Sequence, residues 1–293
     1  MRIAVYGRVL KDEDSPHIQS FFDTLSKRKI EFIIYENLYS LLKERIKFKQ
    51  KDIKTFNSHK DFDSGIDYLF SLGGDGTLLD TLTYVRDSGI PIIGINIGRL
   101  GFLASIGKRE TEAAITALEM GTYVLDERTL LYLDSNKSLF GDTNYCLNDF
   151  TIHKKDTSSM MTIHTYLNGE YLNSYWADGL IVSTPTGSTG YSLSCGGPII
   201  FPGSENFIIT PVAPHNLNVR PIIVPDDNII SFEIEDRNKN FLCSLDSRFE
   251  TIDSSFELAV RKANFTINLV RLNDNNFLST LRNKLLWGID QRN

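Results

Sequence analysis

The sequence has few cysteines, no long apolar run and no excess of positive charge. Its three cysteines, Cys146, Cys195 and Cys243, are scattered and odd in number. They predict neither a disulfide framework nor a cysteine-based metal site, and they indicate reduced side chains in a cytoplasmic protein. No apolar run approaches the length of a membrane-spanning helix, and Met1–Gly7 reads as a strand rather than a signal peptide.

The charge balance is acidic, with 31 Lys and Arg against 37 Asp and Glu and a formal net charge of -6. General nucleic-acid binders are usually basic, so we predict neither nucleic acid nor a membrane as a partner. An acidic protein that binds phosphates must use backbone donors, a few cations or a metal ion. With 293 residues, 41% of them hydrophobic, the chain is long enough for one large or two ordinary domains.

Strand and helix signals alternate over about the first 120 residues, a pattern typical of an open parallel sheet. A helix that begins near Ser15 has an apolar face formed by Ile18, Phe21, Phe22 and Leu25. The predicted strands cover residues 2–7, 31–35, 67–72 and 90–96. Further helices are predicted over 38–48 and 111–120, and another is predicted to begin near Thr77.

The second half of the chain is rich in strand signals, and Asn168-Gly169 predicts a hairpin turn. Its predicted strands are residues 130–133, 144–153, 160–167, 171–176, 179–183, 228–235, 241–245, 255–261 and 265–272. We therefore predict an α/β N-terminal domain with an open parallel sheet over 1–124, followed by a β-rich, sandwich-like C-terminal domain over 125–276. A final helix at 277–287 is expected to pack back on the first domain.

One glycine-rich turn stands out in the first half. The strand Asp67–Leu72 runs into Gly73, Gly74 and Gly76, which surround Asp75, and a helix follows. Strand, glycine turn and helix direct backbone N–H groups and a helix N-terminus at an anion. A carboxylate at such a turn suits proton abstraction from a hydroxyl or metal binding. The alternative is that Asp75 caps the helix, and this stretch alone does not decide between them.

A loop arginine follows the last strand of the first half. Arg99 lies just beyond the strand at 90–96, where open α/β sheets bind ligands. It is a candidate phosphate contact, and an exposed loop arginine is the alternative.

A second polar constellation lies in the β-rich half. Residues 183–194 contain seven Ser or Thr hydroxyls together with Gly187, Gly190 and Tyr191. Many neutral donors and one aromatic wall suit a nucleoside or its phosphates better than a metal, and a polar surface loop is the alternative. Asn148-Asp149 and Asp178 stand at strand ends and suit ribose hydroxyls or a base amino group, with turn formation as their alternative.

Four ordered motifs of this sequence resemble those of the NAD kinase family. They are Gly73-Gly74-Asp75-Gly76-Thr77, Asn96-Ile97-Gly98-Arg99-Leu100-Gly101-Phe102-Leu103, Leu147-Asn148-Asp149, and the stretch from Asp178-Gly179-Leu180 to Thr186-Gly187-Ser188-Thr189-Gly190-Tyr191-Ser192. The first motif is shared with diacylglycerol and sphingosine kinases and, in related form, with phosphofructokinases. The Thr-Gly-Ser-Thr and Leu-Gly-Phe-Leu segments are far more specific. The resemblance spans most of the chain.

The resemblance implies ATP-dependent phosphorylation of the adenosine-ribose 2′-hydroxyl of NAD, giving NADP. It also implies Mg²⁺ and a homo-oligomer, a dimer or tetramer, but no residue is assigned as a metal ligand. By motif match it implies Asp75 as the catalytic base, with Gly74 and Gly76 in the phosphate-facing turn. The residues it implies for binding NAD or the nucleotide are Asn148, Asp149, Asp178, Thr189, Gly190, Tyr191, Ser192, Leu193, Ser194 and Ala213.

Three positions depart from the family pattern. Asp149 stands where the family usually has Glu, which keeps the charge but shortens its reach. Gly190 stands where the family has Ala, which removes a methyl group from the pocket. Asp246-Ser247-Arg248 replaces the frequent Asp-Gly-Gln, and Arg248 is a candidate phosphate contact with an exposed side chain as the alternative.

Two other functions compete with the kinase that the resemblance implies. A lipid or sphingoid kinase would have to admit a long acyl chain, and no apolar portal or membrane-binding helix is evident in the sequence. A non-catalytic nucleotide-binding module would have kept the fold without the chemistry, but Asp75 is present.

Overall fold

The computed structural model describes residues 1–9, 11–62, 65–98, 101–155, 160–235, 240–272 and 276–287. The chain divides into two units. The first contains residues 1–127 and the chain from Ile267 onward, and the second contains Arg128–Thr266. No helix among the described residues is long and apolar enough to cross a membrane.

Strands and helices alternate in the first unit. In chain order they are β1 (Arg2–Gly7), α1 (Ser15–Lys27), β2 (Glu31–Tyr35), α2 (Glu36–Leu42), β3 (Lys54–Phe56), β4 (Tyr68–Leu72), α3 (Asp75–Val85), β5 (Ile92–Asn96), β6 (Ile106–Gly107) and α4 (Thr111–Met120). The strand order is β3-β2-β1-β4-β5, with β6 also paired to β5, and these pairings are all parallel. The predicted open parallel sheet is confirmed.

Both faces of this sheet are covered by helices. The predicted apolar face of α1 is confirmed, because Phe22 and Leu25 are buried in one cluster with Ile3 and Val5 of β1. Alternate residues of a strand point to opposite faces. Accordingly, the ring of Tyr6 contacts that of Tyr84 on α3, with 5.2 Å between centroids. Coverage of both faces explains why the strands are nearly continuous apolar runs.

One helix is shorter than predicted. The pattern predicted a helix over 38–48, but α2 ends at Leu42. Lys43, Lys47 and Lys51 recur every four residues, and like charges at this spacing destabilise a helix. The like charges explain why the apolar periodicity of this segment does not continue as helix.

The strand order reverses between β1 and β4. From β1 the chain adds β2 and β3 on one side of the sheet, and then β4 and β5 on the other. Gly7 pairs with Leu72, so Arg8 and Gly73 leave the sheet side by side at its carboxyl edge. Open α/β sheets bind ligands at such a switch point. The fold therefore places the glycine turn where a ligand is expected.

The described residues of the second unit form mainly strands, together with a short α-helix. Its elements are β7 (Val124–Ser135), β8 (Tyr145–Cys146), β9 (Asp149–Lys154), β10 (Met161–Leu167), β11 (Glu170–Ala177), β12 (Gly179–Ser183), α5 (Tyr191–Ser194), β13 (Asn206–Val212), β14 (Ile222–Pro225), β15 (Ile230–Glu235), β16 (Asn240–Leu245), β17 (Arg248–Asp253) and β18 (Leu258–Arg271). The chain passes between the units within β7 and again within β18.

Two antiparallel sheets share the core of the second unit. One contains the run β11-β10-β15-β18, and the other has the order β14-β13-β12-β9-β16-β17. Their buried side chains form one cluster, in which Phe150 of β9 stacks on Phe232 of β15 with 5.4 Å between ring centroids. The sandwich-like fold predicted for this half is confirmed. Asn168 and Gly169 both have positive φ, of 51° and 84°, at the predicted hairpin turn.

The structure corrects four sequence predictions about the second half. The strand predicted at 144–153 is divided into β8 and β9. The two strands predicted at 255–261 and 265–272 form the single strand β18. The strands β13, β14 and β17 were not predicted at all. Residues 267–272, which we placed in the second domain, belong to the first unit, because Leu269 pairs in parallel with Ile92 of β5. The last helix, α6 (Phe277–Leu285), also belongs to the first unit, where Phe277 lies near Phe102.

The stacked pair in the sandwich core gives a stability prediction. Replacing Phe232, which is 5% exposed, by Ala leaves a cavity between the sheets and should lower the free energy of unfolding by about 3–5 kcal/mol. Phe249→Ala is the matched control, since Phe249 is 69% exposed. Urea denaturation of both variants is the measurement, and equal losses would contradict this description of the core.

Candidate active site

The turn between β4 and α3 is shaped by close backbone packing. A Cβ atom at Gly73 would lie 2.3 Å from Oγ1 of Thr77, so only glycine fits there. Gly74 is the N-cap residue of α3. Among the described residues, a Cβ built on Gly74 or Gly76 would meet no atom within 4 Å apart from its chain neighbours and the backbone of α3. The first backbone N–H groups of a helix have no partner within the helix. The turn therefore offers open space beside a helix N-terminus, which suits an anion.

Asp75 does not cap its own helix. Its Oδ2 accepts a hydrogen bond from the backbone N–H of Phe102 at 2.8 Å. Its Oδ1 accepts bonds from the N–H groups of Leu103 and Ala104 at 3.0 and 2.9 Å. The helix-capping alternative is therefore not what the structure shows. The carboxylate is instead fixed by a loop that follows the neighbouring strand β5.

Gly101 allows that loop to approach the carboxylate. A Cβ atom on Gly101 would lie only 1.9 Å from Oδ1 of Asp75. The sequence motif contains this glycine, but sequence reasoning gave it no role. The only signal in the sequence is that Gly101 directly precedes the three residues whose backbone N–H groups bind Asp75. This signal can be interpreted only when the distance between Gly101 and Asp75 is known.

A cation that sequence reasoning missed lies at the same edge of the sheet. Arg8 follows β1 directly, and its Nη1 forms a 3.0 Å ion pair with Oδ2 of Asp80 on α3. The Arg8 side chain remains 60% exposed. The argument applied to Arg99, a cation just past a parallel strand, applies equally to Arg8 and could have found it. Arg99 itself lies outside the described residues, and its phosphate contact stays a prediction.

In the second unit, several predicted binding residues come together at the start of β9. A Cβ atom on Gly190 would lie 3.8 Å from Oδ2 of Asp149 and 3.9 Å from Nδ2 of Asn148. A Cβ on Gly187 would lie 2.1 Å from the carbonyl oxygen of Asn148, so glycine is required for this approach. The structure thus brings the loop after β12 onto Asn148 and Asp149.

Most hydroxyls of that loop bond within the protein. Thr184 donates through Oγ1 to the carbonyl of Leu147 at 2.5 Å, and Ser188 donates to the carbonyl of Pro185 at 2.6 Å. Ser192 is fully buried, with its Oγ 2.8 Å from Oγ1 of Thr210. These hydroxyls make the loop an ordered element rather than a polar surface loop. Thr189 and Leu193 are partly buried and Ser194 is exposed, and the binding roles of Thr189 and Ser192–Ser194 stay predictions.

The start of β12 holds the other predicted residues. Asp178 precedes β12, and its backbone N–H donates to the carbonyl of Val212, next to Ala213. Ala213 is exposed and has a φ of 44°, which is uncommon for a residue with a side chain. Oδ1 of Asp178 forms an ion pair of 2.5 Å with Nζ of Lys154. Asp178 and Ala213 are therefore neighbours, and Lys154 is a partner that sequence reasoning missed.

Tyr191 is 41% exposed, and its role as a ring wall stays a prediction. Its hydroxyl lies 3.3 Å from Nε2 of His153. His153 is another residue that sequence reasoning missed, although the pattern contains a signal. Asp149, Thr151 and His153 are alternate residues of β9 and share the face opposite the buried Phe150 and Ile152.

Two carboxylates interact beside the start of β9. Burial, and to a lesser extent the negative charge of Asp246, raise the pKa of Asp149 to about 7. A carboxyl group with this pKa changes its charge near neutral pH, and perturbed groups of this kind are frequent at functional sites.

Arg248 is already engaged by the chain itself. Its Nη1 donates to the carbonyl and the Oγ1 of Thr143 at 2.6 and 2.8 Å, and its Nη2 donates to the carbonyl of Tyr145. These contacts differ from both the phosphate contact and the exposed side chain that the sequence suggested.

Family models match both parts of the chain. The model for the ATP-NAD kinase N-terminal domain matches residues 3–123, and the model for the ATP-NAD kinase C-terminal domain matches residues 147–272. The chain is 52% identical over 293 residues to the NAD kinase of Cytophaga hutchinsonii and 48% identical over 295 residues to that of Flavobacterium psychrophilum. Each of these matches covers 100% of both chains.

Solved structures share the fold at lower identity. Yeast NADH kinase complexed with NADH superposes with a TM-score of 0.88 at 22% identity, over 99% of this chain and 88% of that one. An NAD kinase from Archaeoglobus fulgidus in complex with ATP has a TM-score of 0.76 at 23% identity, over 98% of this chain and 99% of that one. Both have the same two-domain fold.

The close approach at Gly101 predicts a sharp loss of activity in Gly101→Ala. The added Cβ must displace the Asp75 carboxylate, and such a misplacement should lower the kcat of NADP formation by about a hundredfold. NADP formation is the activity that the sequence motifs imply. Gly107→Ala is the control, because its Cβ would meet only the flexible end of Glu110 at 3.2 Å. Equal kcat values for the two variants would contradict the role given to Gly101.

Proposed function

Because this chain belongs to the ATP-NAD kinase family, and is therefore a phosphotransferase, we propose that it moves the γ-phosphoryl group of ATP to the 2′-hydroxyl of the adenosine ribose of NAD. The products are NADP and ADP, so the chain serves NADP biosynthesis. The observation that carries the proposal is the Asp75 carboxylate, held by three backbone N–H groups at the switch point of the sheet. Asp75 is the general base of the reaction.

The hydrogen bonds of Asp75 leave room for this role. Each carboxylate oxygen can accept about two hydrogen bonds. Among the described residues, Oδ1 accepts two N–H groups, whereas Oδ2 accepts only that of Phe102. Asp75 is also partly exposed. Oδ2 can therefore accept the proton of a ribose hydroxyl, a poor nucleophile near neutral pH, as its oxygen attacks the γ-phosphorus.

The open space at Gly74 and Gly76 suits the phosphates of ATP. Phosphoryl transfer depends mainly on positioning and on charge neutralisation, and the N-terminus of α3 contributes to both. Arg8 adds a cation at the same edge of the sheet, held by Asp80. The ADP leaving group departs with its negative charge, which these donors help to stabilise.

Magnesium fits this donor set as an ion carried mainly by the substrate. Among the described residues, no group of three or more His, Cys, Asp or Glu side chains could hold a metal ion. Mg²⁺ commonly binds through one or two carboxylates together with substrate phosphates. Because the remaining acceptor position of Asp75 is given to the ribose hydroxyl, Mg²⁺ would be held mainly by the phosphate oxygens of ATP rather than by Asp75. When bound, Mg²⁺ supplies charge neutralisation at the phosphate oxygens.

The second unit supplies contacts to NAD. Asn148 offers an amide and Asp149 a carboxylate beside Gly190, and such groups suit ribose hydroxyls. The half-exposed ring of Tyr191 suits stacking on a base. Asp178 and Ala213 are neighbours at the start of β12 and complete the proposed NAD contacts. A homo-oligomer, dimer or tetramer, and a cytoplasmic location belong to the same proposal, and light scattering of the purified chain tests the first.

Asp75→Asn should abolish turnover while NAD still binds. The amide cannot take the hydroxyl proton, so kcat should fall by at least about a hundredfold. A coupled assay with NAD, ATP, Mg²⁺ and an NADP-specific dehydrogenase measures turnover, and calorimetry measures NAD binding. Asp87→Asn makes the same charge change at an exposed loop position and should keep its activity.

The outcomes of this assay separate the candidate functions. Unchanged turnover in Asp75→Asn would refute the role of Asp75. If the folded wild-type chain bound NAD but formed no NADP with any donor, a non-catalytic binding module would replace the proposal. Lipid phosphorylation without NAD binding would indicate a lipid kinase.

NAD affinity should depend on pH through Asp149. Its pKa is about 7, so the carboxyl group is ionised at pH 8 and mostly protonated at pH 6. If only the ionised form accepts the ribose hydroxyls, the Kd for NAD should rise about tenfold from pH 8 to pH 6. Calorimetry without ATP measures this change and avoids titration of the nucleotide phosphates. Asp149→Asn should bind more weakly and lose the pH dependence, and retention of the dependence would assign it to another group.

A further inference from the structure

The turn between β16 and β17 forms several hydrogen bonds with the chain segment that leads into β9. Asp246 accepts the backbone N–H of Leu147 through Oδ2 at 2.9 Å and that of Asn148 through Oδ1 at 2.7 Å. A third N–H, that of Asp149, reaches Oδ1 at 3.3 Å. The backbone N–H of Asp246 returns a bond of 2.9 Å to the carbonyl of Asp149. One carboxylate thus binds three consecutive backbone donors.

The backbone of the turn supports this arrangement. Asp246 has a φ of 53°, in the left-handed region that Asn, Asp and Gly tolerate best. Two residues later, Arg248 donates to the carbonyls of Thr143 and Tyr145. Its guanidinium also lies 5.8 Å from the ring centroid of Phe140. The turn therefore holds residues 143–149 at two points.

We propose that Asp246 and Arg248 are positioning residues, which fix the backbone of Asn148 and Asp149 so that both side chains are preorganised for NAD. This inference rests on the proposed function and deepens it. It gives a role to the Asp-Ser-Arg turn, where the sequence offered only a phosphate contact or an exposed side chain for Arg248. Asp246 and Arg248 act through Asn148 and Asp149, and we do not propose that either contacts NAD itself.

Charge supports a specific role for Asp246. Burial raises the pKa of Asp149 most, and the negative charge of Asp246 raises it further, because like charges repel. Other titratable groups that face this pair are Cys146 beside β9 and Tyr191 and Cys195 on and after α5. Burial raises the pKa of Asp246 itself, and the Arg248 guanidinium acts against this by lowering it. Of these groups, Asp246 is the one whose charge raises the pKa of Asp149.

The positioning role separates from a merely structural one through a pH profile. Asp246→Asn keeps the shape of the side chain, but it removes the charge and puts an N–H group where a backbone donor must be accepted. At pH 8, where Asp149 is ionised, the Kd for NAD should rise about tenfold. The pH midpoint of NAD binding should also move to lower pH, because the repelling charge is gone. Burial of Asp149 also raises this midpoint, so the shift supports the role of Asp246 only if the circular dichroism and urea unfolding of the variant match those of the wild type.

Arg248→Ala provides an independent variant. It should raise the Kd for NAD severalfold and leave the KM for ATP unchanged, whereas a contact with an ATP phosphate would raise the KM for ATP instead. Arg248→Gln restores the residue frequent in the family and should recover most of the NAD affinity. Ser247→Ala is the matched control in the same turn, because Ser247 is exposed.

The measurements are calorimetric NAD titrations from pH 6 to 8 and steady-state KM values, with circular dichroism as the folding check. The proposal is supported by a weaker affinity and a lower midpoint in Asp246→Asn. It is overturned if folded Asp246→Asn and Arg248→Ala both bind NAD as the wild type does. If Asp246→Asn does not fold, Arg248→Ala decides alone. Absence of NAD binding by the wild-type chain would overturn the proposed function, and this inference with it.

Discussion

A carboxylate beside a phosphate-binding turn is repelled by the anions that the turn attracts, so it must be held in place by other donors. In this chain the donors are the N–H groups of Phe102, Leu103 and Ala104, which surround the Asp75 carboxylate. The chemistry proposed for the first unit depends on this interaction. It explains why glycine is needed at 101 and why the loop after β5 belongs to the site.

The second unit also contains a carboxylate that accepts three backbone N–H groups, but this carboxylate has a different role. Asp246 also accepts three consecutive backbone N–H groups, here those of Leu147, Asn148 and Asp149. In the first unit the held carboxylate is itself the reactive group. In the second, the held group is the backbone of the binding residues. Charged hydrogen bonds are stronger than neutral ones, which suits both tasks.

The sequence predicts most of what depends on local pattern. The strand, glycine turn and helix around Asp75, the apolar face of α1 and the hairpin at Asn168-Gly169 follow from spacing within about 15 residues. The partners of Asp75 and Asp246 do not, because they lie 27 or more and 97 or more positions away along the chain. Strand β14 was missed because Pro221 precedes it and Pro225 is its last residue. Strand β17 was missed because its edge position exposes polar residues.

The central claim is that Asp75 accepts the proton of the ribose hydroxyl that is phosphorylated. The most direct test is a crystal structure of the wild-type chain with NAD and without a phosphoryl donor, read for the distance from Oδ2 of Asp75 to the 2′ oxygen of the adenosine ribose. The account predicts hydrogen-bond distance, about 2.6–3.2 Å, with the three N–H bonds to Asp75 intact. A bound NAD whose 2′ oxygen is turned away from Asp75, with another side chain in contact with it, would contradict the account.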